Sequence, residues 1–174
     1  MTNITINISD AASIDAAIQK LQAIEEQMRN VKVAEFCRRL AEIGVDVTNV
    51  TYMGAAYDGT NDVSVRLDQR GNSYVISASG SSLGFIEFGT GIEYPLGEYA
   101  GQVGAPAHGT YGQRRAANPP WLYRGSPGTN GSPSGSRPGL VWTRGNPPAN
   151  AFPRAVEEIK SQIDSIAREV FVFD

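Results

Sequence analysis

The chain has 174 residues, 41% of them apolar, a net charge of −3, one histidine and one cysteine. That length suits one domain with its own core, and the apolar content argues against global disorder. Cys37 alone excludes an intrachain disulfide and a cysteine-based metal site, no stretch approaches the ~20 apolar residues of a membrane span, and Met1–Ser9 has neither the basic start nor the apolar run of a signal peptide.

Ile4, Ile6 and Ile8 alternate with polar residues, the period of a half-buried strand. From Ser13, which suits an N-cap, the period becomes helical: Ile14, Ile18, Leu21, Ile24, Met28 and Val31 fall on one face. Val33, Phe36, Cys37, Leu40 and Ile43 continue at a shifted phase, which reads as a bend near Asn30 in one long helix ending at Gly44. Cys37 on that apolar face reads as a small core residue. Val45–Tyr52 is compatible with a short strand. Val63, Val65 and Leu67 alternate, Gln69–Asn72 supplies a turn, and Tyr74–Ala78 returns as the second strand of a hairpin.

The stretch Gly84–Tyr94 organises the rest of the chain. Phe85, Ile86 and Phe88 read as a buried strand, the third of one antiparallel sheet, and Gly89 and Gly91 form a corner that turns the chain out of the body. Residues 95–150 are rich in Gly, Pro, Ser and Asn, and Gly125–Ser136 reads as a flexible loop at the tip of a hairpin arm made by Trp121–Tyr123 and Leu140–Trp142. Pro153 suits the first turn of a last helix, along which Phe152, Val156, Ile159, Ile163, Ile166 and Val170 form an apolar stripe. Phe171–Phe173 fits a terminal strand or a packing contact.

These elements predict a single α+β domain. A mainly antiparallel β-sheet packs against a long N-terminal helix and a C-terminal helix, with a compact body at 1–91 and 145–174 and an extended loop or hairpin arm at 92–144.

Charge divides the chain more sharply than its total suggests. Residues 99–156 hold six arginines (Arg114, Arg115, Arg124, Arg137, Arg144, Arg154), no lysine and no acid. Residues 1–98 carry −6 and residues 157–174 carry −3. Such asymmetry points to an electrostatic partner for the middle segment. Arginine interleaved with Tyr111, Trp121, Tyr123 and Trp142 is compatible with single-stranded nucleic acid. Arginine, Trp and Tyr are also the residues that dominate protein interfaces, and arginine without lysine favours directional pairing. A sequence pI of 5.2 argues in the same direction. The interface residues this selects are Arg114, Arg115, Trp121, Tyr123, Arg124, Trp142 and Arg144. The acidic surface they meet can belong to the next copy of the same chain, in a head-to-tail ring.

No catalytic constellation is present. His108 stands alone in a Gly/Ala/Pro loop, with no second histidine for a metal site. Gly89-Thr-Gly91 is followed neither by a third glycine at nucleotide-fold spacing nor by Gly-Lys-Ser/Thr. Glu87, alternating with Ile86 and Phe88, is the one carboxylate set in an apolar run, and is expected to pair with an arginine or to point outward.

Glu87-Phe88-Gly89-Thr90, running on to Gly91, and after a long insertion Pro147-Pro148, Phe152 and Ala155, resemble tail-completion proteins of long-tailed bacteriophages, also described as head–tail joining, neck or minor structural proteins. The order and spacing of elements agree over nearly the whole chain. The departure is the insertion at 92–141. The resemblance implies a virion structural protein without enzyme activity or cofactor, made in the host bacterial cytoplasm. It implies a ring, usually hexameric, between the head connector or adaptor and the tail terminator or tail tube, with DNA passing through the centre without specific recognition. A nucleic-acid-binding module using residues 99–156 is the alternative.

Overall fold

The computed structural model describes residues 4, 5, 7, 9–71, 73–91, 94, 98–105, 120–128 and 131–172. Helix α1 (Ala11–Gln27), a π-helical turn (Met28–Lys32) and helix α2 (Val33–Met53) form one continuous helical run. Strands β1 (Ser64–Arg70) and β2 (Ser73–Ser79) follow, then the short helices α3 (Leu83–Phe88) and α4 (Glu98–Gln102). Strands β3 (Trp121–Arg124), β4 (Ser132–Pro133) and β5 (Leu140–Thr143) precede the last helix, α5 (Ala151–Val170). The architecture is α+β with antiparallel sheets. No helix among the described residues is long and apolar enough to cross a membrane.

The irregularity expected near Asn30 is the π turn, where one widened turn shifts the helical phase. Two expectations for the helices are corrected. The N-cap is Asp10, whose Oδ1 accepts from the Ala12 amide at 3.0 Å, while the Ser13 hydroxyl accepts from the Asn7 amide. The helix also passes through Gly44 and absorbs the stretch read as a strand, Val45–Tyr52. Ala41, Gly44, Thr48 and Tyr52 are its buried residues, at spacings of three and four, so packing against α5 and the hairpin overrides the β-branched preference. The hydroxyls of Thr48 and Thr51 donate to carbonyls one turn back, at 2.6 and 2.7 Å. Gly44 is needed for closeness, since a Cβ there would meet the tip of Ile76 and lie 2.8 Å from Cδ1 of Ile159.

The β1–β2 hairpin forms as expected, with Val65 opposite Ala78 and Leu67 opposite Ile76. This face packs on α2. The single three-stranded sheet is corrected to two sheets: β1–β2, and a second in the order β3–β5–β4. Trp121–Tyr123 and Leu140–Trp142 do pair, with Leu122 opposite Trp142. The Gly/Ser stretch is not simply a flexible tip. It returns as β4 beside β5, with Ser134 buried and its amide donating to Leu140 at 2.8 Å.

Residues 4, 5, 7 and 9 carry no strand, against the alternation read there. The expected α5 stripe is met in part: Ile166 and Val170 are buried and Phe152 and Ile159 half-buried, whereas Val156 and Ile163 are exposed and the small residues Ala151 and Ala155 are buried instead. Phe171 caps α5 and packs its ring on Phe36 of α2, centroids 5.4 Å apart. Arg39 reaches Glu169 across the same helix pair at 3.0 Å. Ile6, Ile8, Asn72, His108, Tyr111, Arg114, Arg115 and Phe173 lie outside the described residues.

Candidate functional site

The two sequence segments that carry the resemblance meet at one junction. The stretch read as a strand, Phe85–Phe88, is helix α3; a short apolar run does not distinguish a strand from a buried helical turn. Ile86 and Glu87 are its buried residues, each close to 2% exposed or less. Among the described residues Glu87 meets no arginine, and it does not point outward. Its Oε2 accepts from the Ala151 amide at 2.8 Å and its Oε1 from the Phe152 amide at 3.2 Å. The carbonyls of Ile86 and Glu87 accept from the amides of Ala149 and Asn150, at 2.9 and 3.2 Å.

Four successive amides at the start of α5 thus find acceptors on two residues of α3. A helix start leaves such amides without intrahelical partners and carries partial positive charge, so a carboxylate satisfies both needs. Asn150, at the N-cap in left-handed backbone with φ 51°, makes no side-chain cap; Glu87 caps in its place. Around the junction Tyr52, Ile86, Ala149 and Ala151 form a buried cluster, and Phe152 meets Tyr52 edge-on at 6.4 Å. Burial first, and the Glu87 charge second, hold the Tyr52 phenol far above its ordinary range.

Beyond α3 the corner is locked to the returning chain. Thr90 and Asn146 form a β-bridge, amide to carbonyl at 2.9 and 3.2 Å, and the Thr90 hydroxyl accepts from the Asn146 side-chain amide at 3.2 Å. Gly89 has φ 78°, and a Cβ there would sit 2.8 Å from the Asn146 carbonyl oxygen, so both backbone angle and space call for glycine. The corner therefore launches the insertion and also clamps its two roots together.

The second sheet has two unlike faces. Its inner face docks on the body, where the Thr143 hydroxyl donates to buried Asp58 and accepts from the Gly145 amide at 2.9 Å. Trp121 and Tyr123, with Tyr57, Asp58 and Phe85, line a cavity of about 250 Å³ between sheet and body. The Tyr123 hydroxyl donates to Ser126 at 2.7 Å, and burial, with the Asp58 charge second, pushes the phenol up to about 12. The outer face is a groove of about 450 Å³ lined by Trp121, Leu122, Arg124, Arg137, Leu140 and Trp142.

Of the interface residues selected from sequence, Arg124 and Trp142 share this outer groove, and Tyr123 turns inward. Trp121 lies at the margin of both faces, and Arg144 is exposed beside the corner. Arg137, which the sequence pattern does not single out, joins them in the groove from the strand connection between β4 and β5. Among the described residues no group of three or more His, Cys, Asp and Glu side chains is placed to hold a metal ion. No protein-family model, curated protein or solved structure matches the chain.

Proposed function

We propose that the chain is a non-enzymatic structural subunit of a bacteriophage virion, a tail-completion or neck protein. It assembles as a ring, six-membered by the resemblance, between the head connector and the tail, and DNA passes through its opening. The observation that supports this reading is the junction itself. Glu87-Phe88-Gly89-Thr90 and the Trp142–Ala155 segment that carries Pro147-Pro148, Phe152 and Ala155, the two parts of the resemblance, are one cooperating structure in which the first caps the helix opened by the second. That dependence gives a physical reason for the motifs to occur together and in this order. It also sets the 92–141 insertion between clamped roots, with the second sheet docked on the body through the Thr143–Asp58 bond.

The test is electron microscopy and native mass spectrometry of the purified chain, alone and with connector-bearing heads from its own phage. Rings with a central opening that bind the connector are the expected result. A chain that stays monomeric and does not bind connector-bearing heads would sink the proposal. The outer groove, with two arginines around a tryptophan, supports a second reading as a nucleic-acid surface. Tight, salt-sensitive mobility shifts by isolated subunits would favour it.

A further inference from the structure

The outer groove and a second patch on the same chain are complementary in both charge and apolar character. In the groove, Arg124 and Arg137 flank Leu122, Leu140 and Trp142, and Trp142 is 40% exposed. Neither arginine has an acidic partner among the described residues, and no acid occurs anywhere in residues 99–156. The second patch lies on the outward side of the C-terminal half of α2. Glu42, Asp46, Val50 and Met53 recur there at spacings of four, four and three, which places them on one face. Val50 is 70% and Met53 85% exposed, the two most exposed large apolar side chains described.

We propose that the α2 face of one copy seats in the sheet groove of the next. Asp46 meets Arg124 and Arg137, joined by Glu42, which also pairs with Arg38 of its own copy, while Val50 and Met53 cover Leu122, Leu140 and Trp142. The run from Asp46 to Met53 rises about 10 Å along a helix, the span of a four-residue strand, and Glu42 lies one further turn, about 6 Å, beyond it. Arginine and tryptophan around a small apolar floor form the centre expected of an interface hot spot. The two patches are different surfaces, so the contact is head-to-tail and repeats around a ring when its rotation closes. This deepens the ring reading above and rests on it for closure, because a head-to-tail contact alone also permits open filaments.

Charge reversal on the full chain tests the contact, with sedimentation velocity and native mass spectrometry reporting assembly. Arg124→Glu with Arg137→Glu, and separately Asp46→Arg with Glu42→Arg, should each weaken association at least about tenfold, since like charges are brought together. All four substitutions in one chain should restore it, and Met53→Asp should weaken it alone. Every altered side chain is on the surface, so circular dichroism and the thermal midpoint serve as fold controls. Assembly that survives both reversed pairs, or that the combined chain fails to recover, overturns this contact while leaving a ring built through other surfaces intact. A wild-type chain that never assembles, even on connector-bearing heads, overturns the ring reading and the contact together. Loss of nucleic-acid binding in the groove variant with assembly unchanged would overturn the contact and assign the groove to nucleic acid.

Discussion

Removing the Glu87 carboxylate is the sharpest perturbation the junction offers. Glu87→Ala strips acceptors from the Ala151 and Phe152 amides, 2.8 and 3.2 Å away, at a site where Ala151 is 0% exposed. Hydrogen bonds to a charged group contribute about 1.5–3 kcal/mol each, and a partly buried charge at a helix start up to about 2 kcal/mol. Against these stands the cost of burying a carboxylate, which the substitution relieves. The expected net loss is about 3–5 kcal/mol, comparable to breaking a buried pair by removing one partner. For a chain of this size that corresponds to roughly 6–20 °C in Tm.

Two companion variants separate the causes. Glu87→Gln keeps the volume and one acceptor but turns an N–H₂ toward a backbone N–H, so an intermediate loss of about 1–3 kcal/mol is expected. Glu87→Leu keeps apolar packing yet should cost nearly as much as alanine. A hydrophobic replacement is neutral for a buried ion pair only when both partners go, and backbone amides cannot be removed. Urea unfolding followed by circular dichroism measures all three, with an unchanged slope showing that the native and denatured states are comparable. If Glu87→Ala stays within about 0.5 kcal/mol of wild type, the level of an ordinary surface change, the capping argument is wrong.

Three further outcomes are expected. Gly44→Val forces a side chain into the space held by Ile76 and Ile159 and should cost about 1–3 kcal/mol by overpacking, read from the same unfolding curves. Tyr52→Phe should change stability by no more than about 1 kcal/mol, because the buried hydroxyl meets no partner at hydrogen-bond geometry among the described residues and its loss leaves none unsatisfied; a loss above about 2 kcal/mol would show that the Glu87 carboxylate, whose charge acts on this phenol, accepts a bond from it. Hydrogen bonds from Arg38 and Arg39 lower the Glu35 carboxyl from 4.5 to about 2. A depressed acid stabilises the fold above its unfolded value and loses that contribution as pH falls. The Tm difference between wild type and Glu35→Gln should therefore be constant above pH 4.5 and shrink toward pH 2.

Local signals make much of the fold legible. The β1–β2 hairpin comes from strict alternation and a turn at Gly71, whose φ is 61°. Helix α5 comes from Pro153 in its first turn, and the β3–β5 pair from two short apolar pieces around a turn-rich stretch. Local pattern misleads where tertiary packing outweighs local preference. Gly44 reads as a stop only if nothing must approach it, yet the hairpin and α5 both do. Val45, Val47, Val50 and Thr51 favour a strand by composition, but the neighbouring residues they separate bury one helical face.

The junction escapes local reading for a different reason. Glu87 and the amides it caps are 64 and 65 residues apart, and no periodicity links a carboxylate to a helix start at that distance. The usable signal is chemical: an acid between Ile86 and Phe88 must find donors if it is buried, and a helix start supplies backbone donors as well as any arginine does.

That junction also constrains how the insertion can act. Holding Thr90 against Asn146 closes a loop with ends 56 residues apart, at an entropic cost of about 3.5 kcal/mol from the length-dependent part alone. The β-bridge and the Thr90 hydroxyl recover part of this, and the Glu87 cap fixes the neighbouring residues independently. The Thr143–Asp58 bond then ties the second sheet to the loop after α2. A pull on the outer groove is therefore carried into the body at two points, the corner beside α5 and the end of α2. In a head-to-tail ring both faces of the contact, the groove of one copy and the α2 face of the next, would rest on rigidly connected elements. Rigid support of this kind reduces the ordering cost of association, and it gives the clamped corner a role that reversing the direction of the chain would not require.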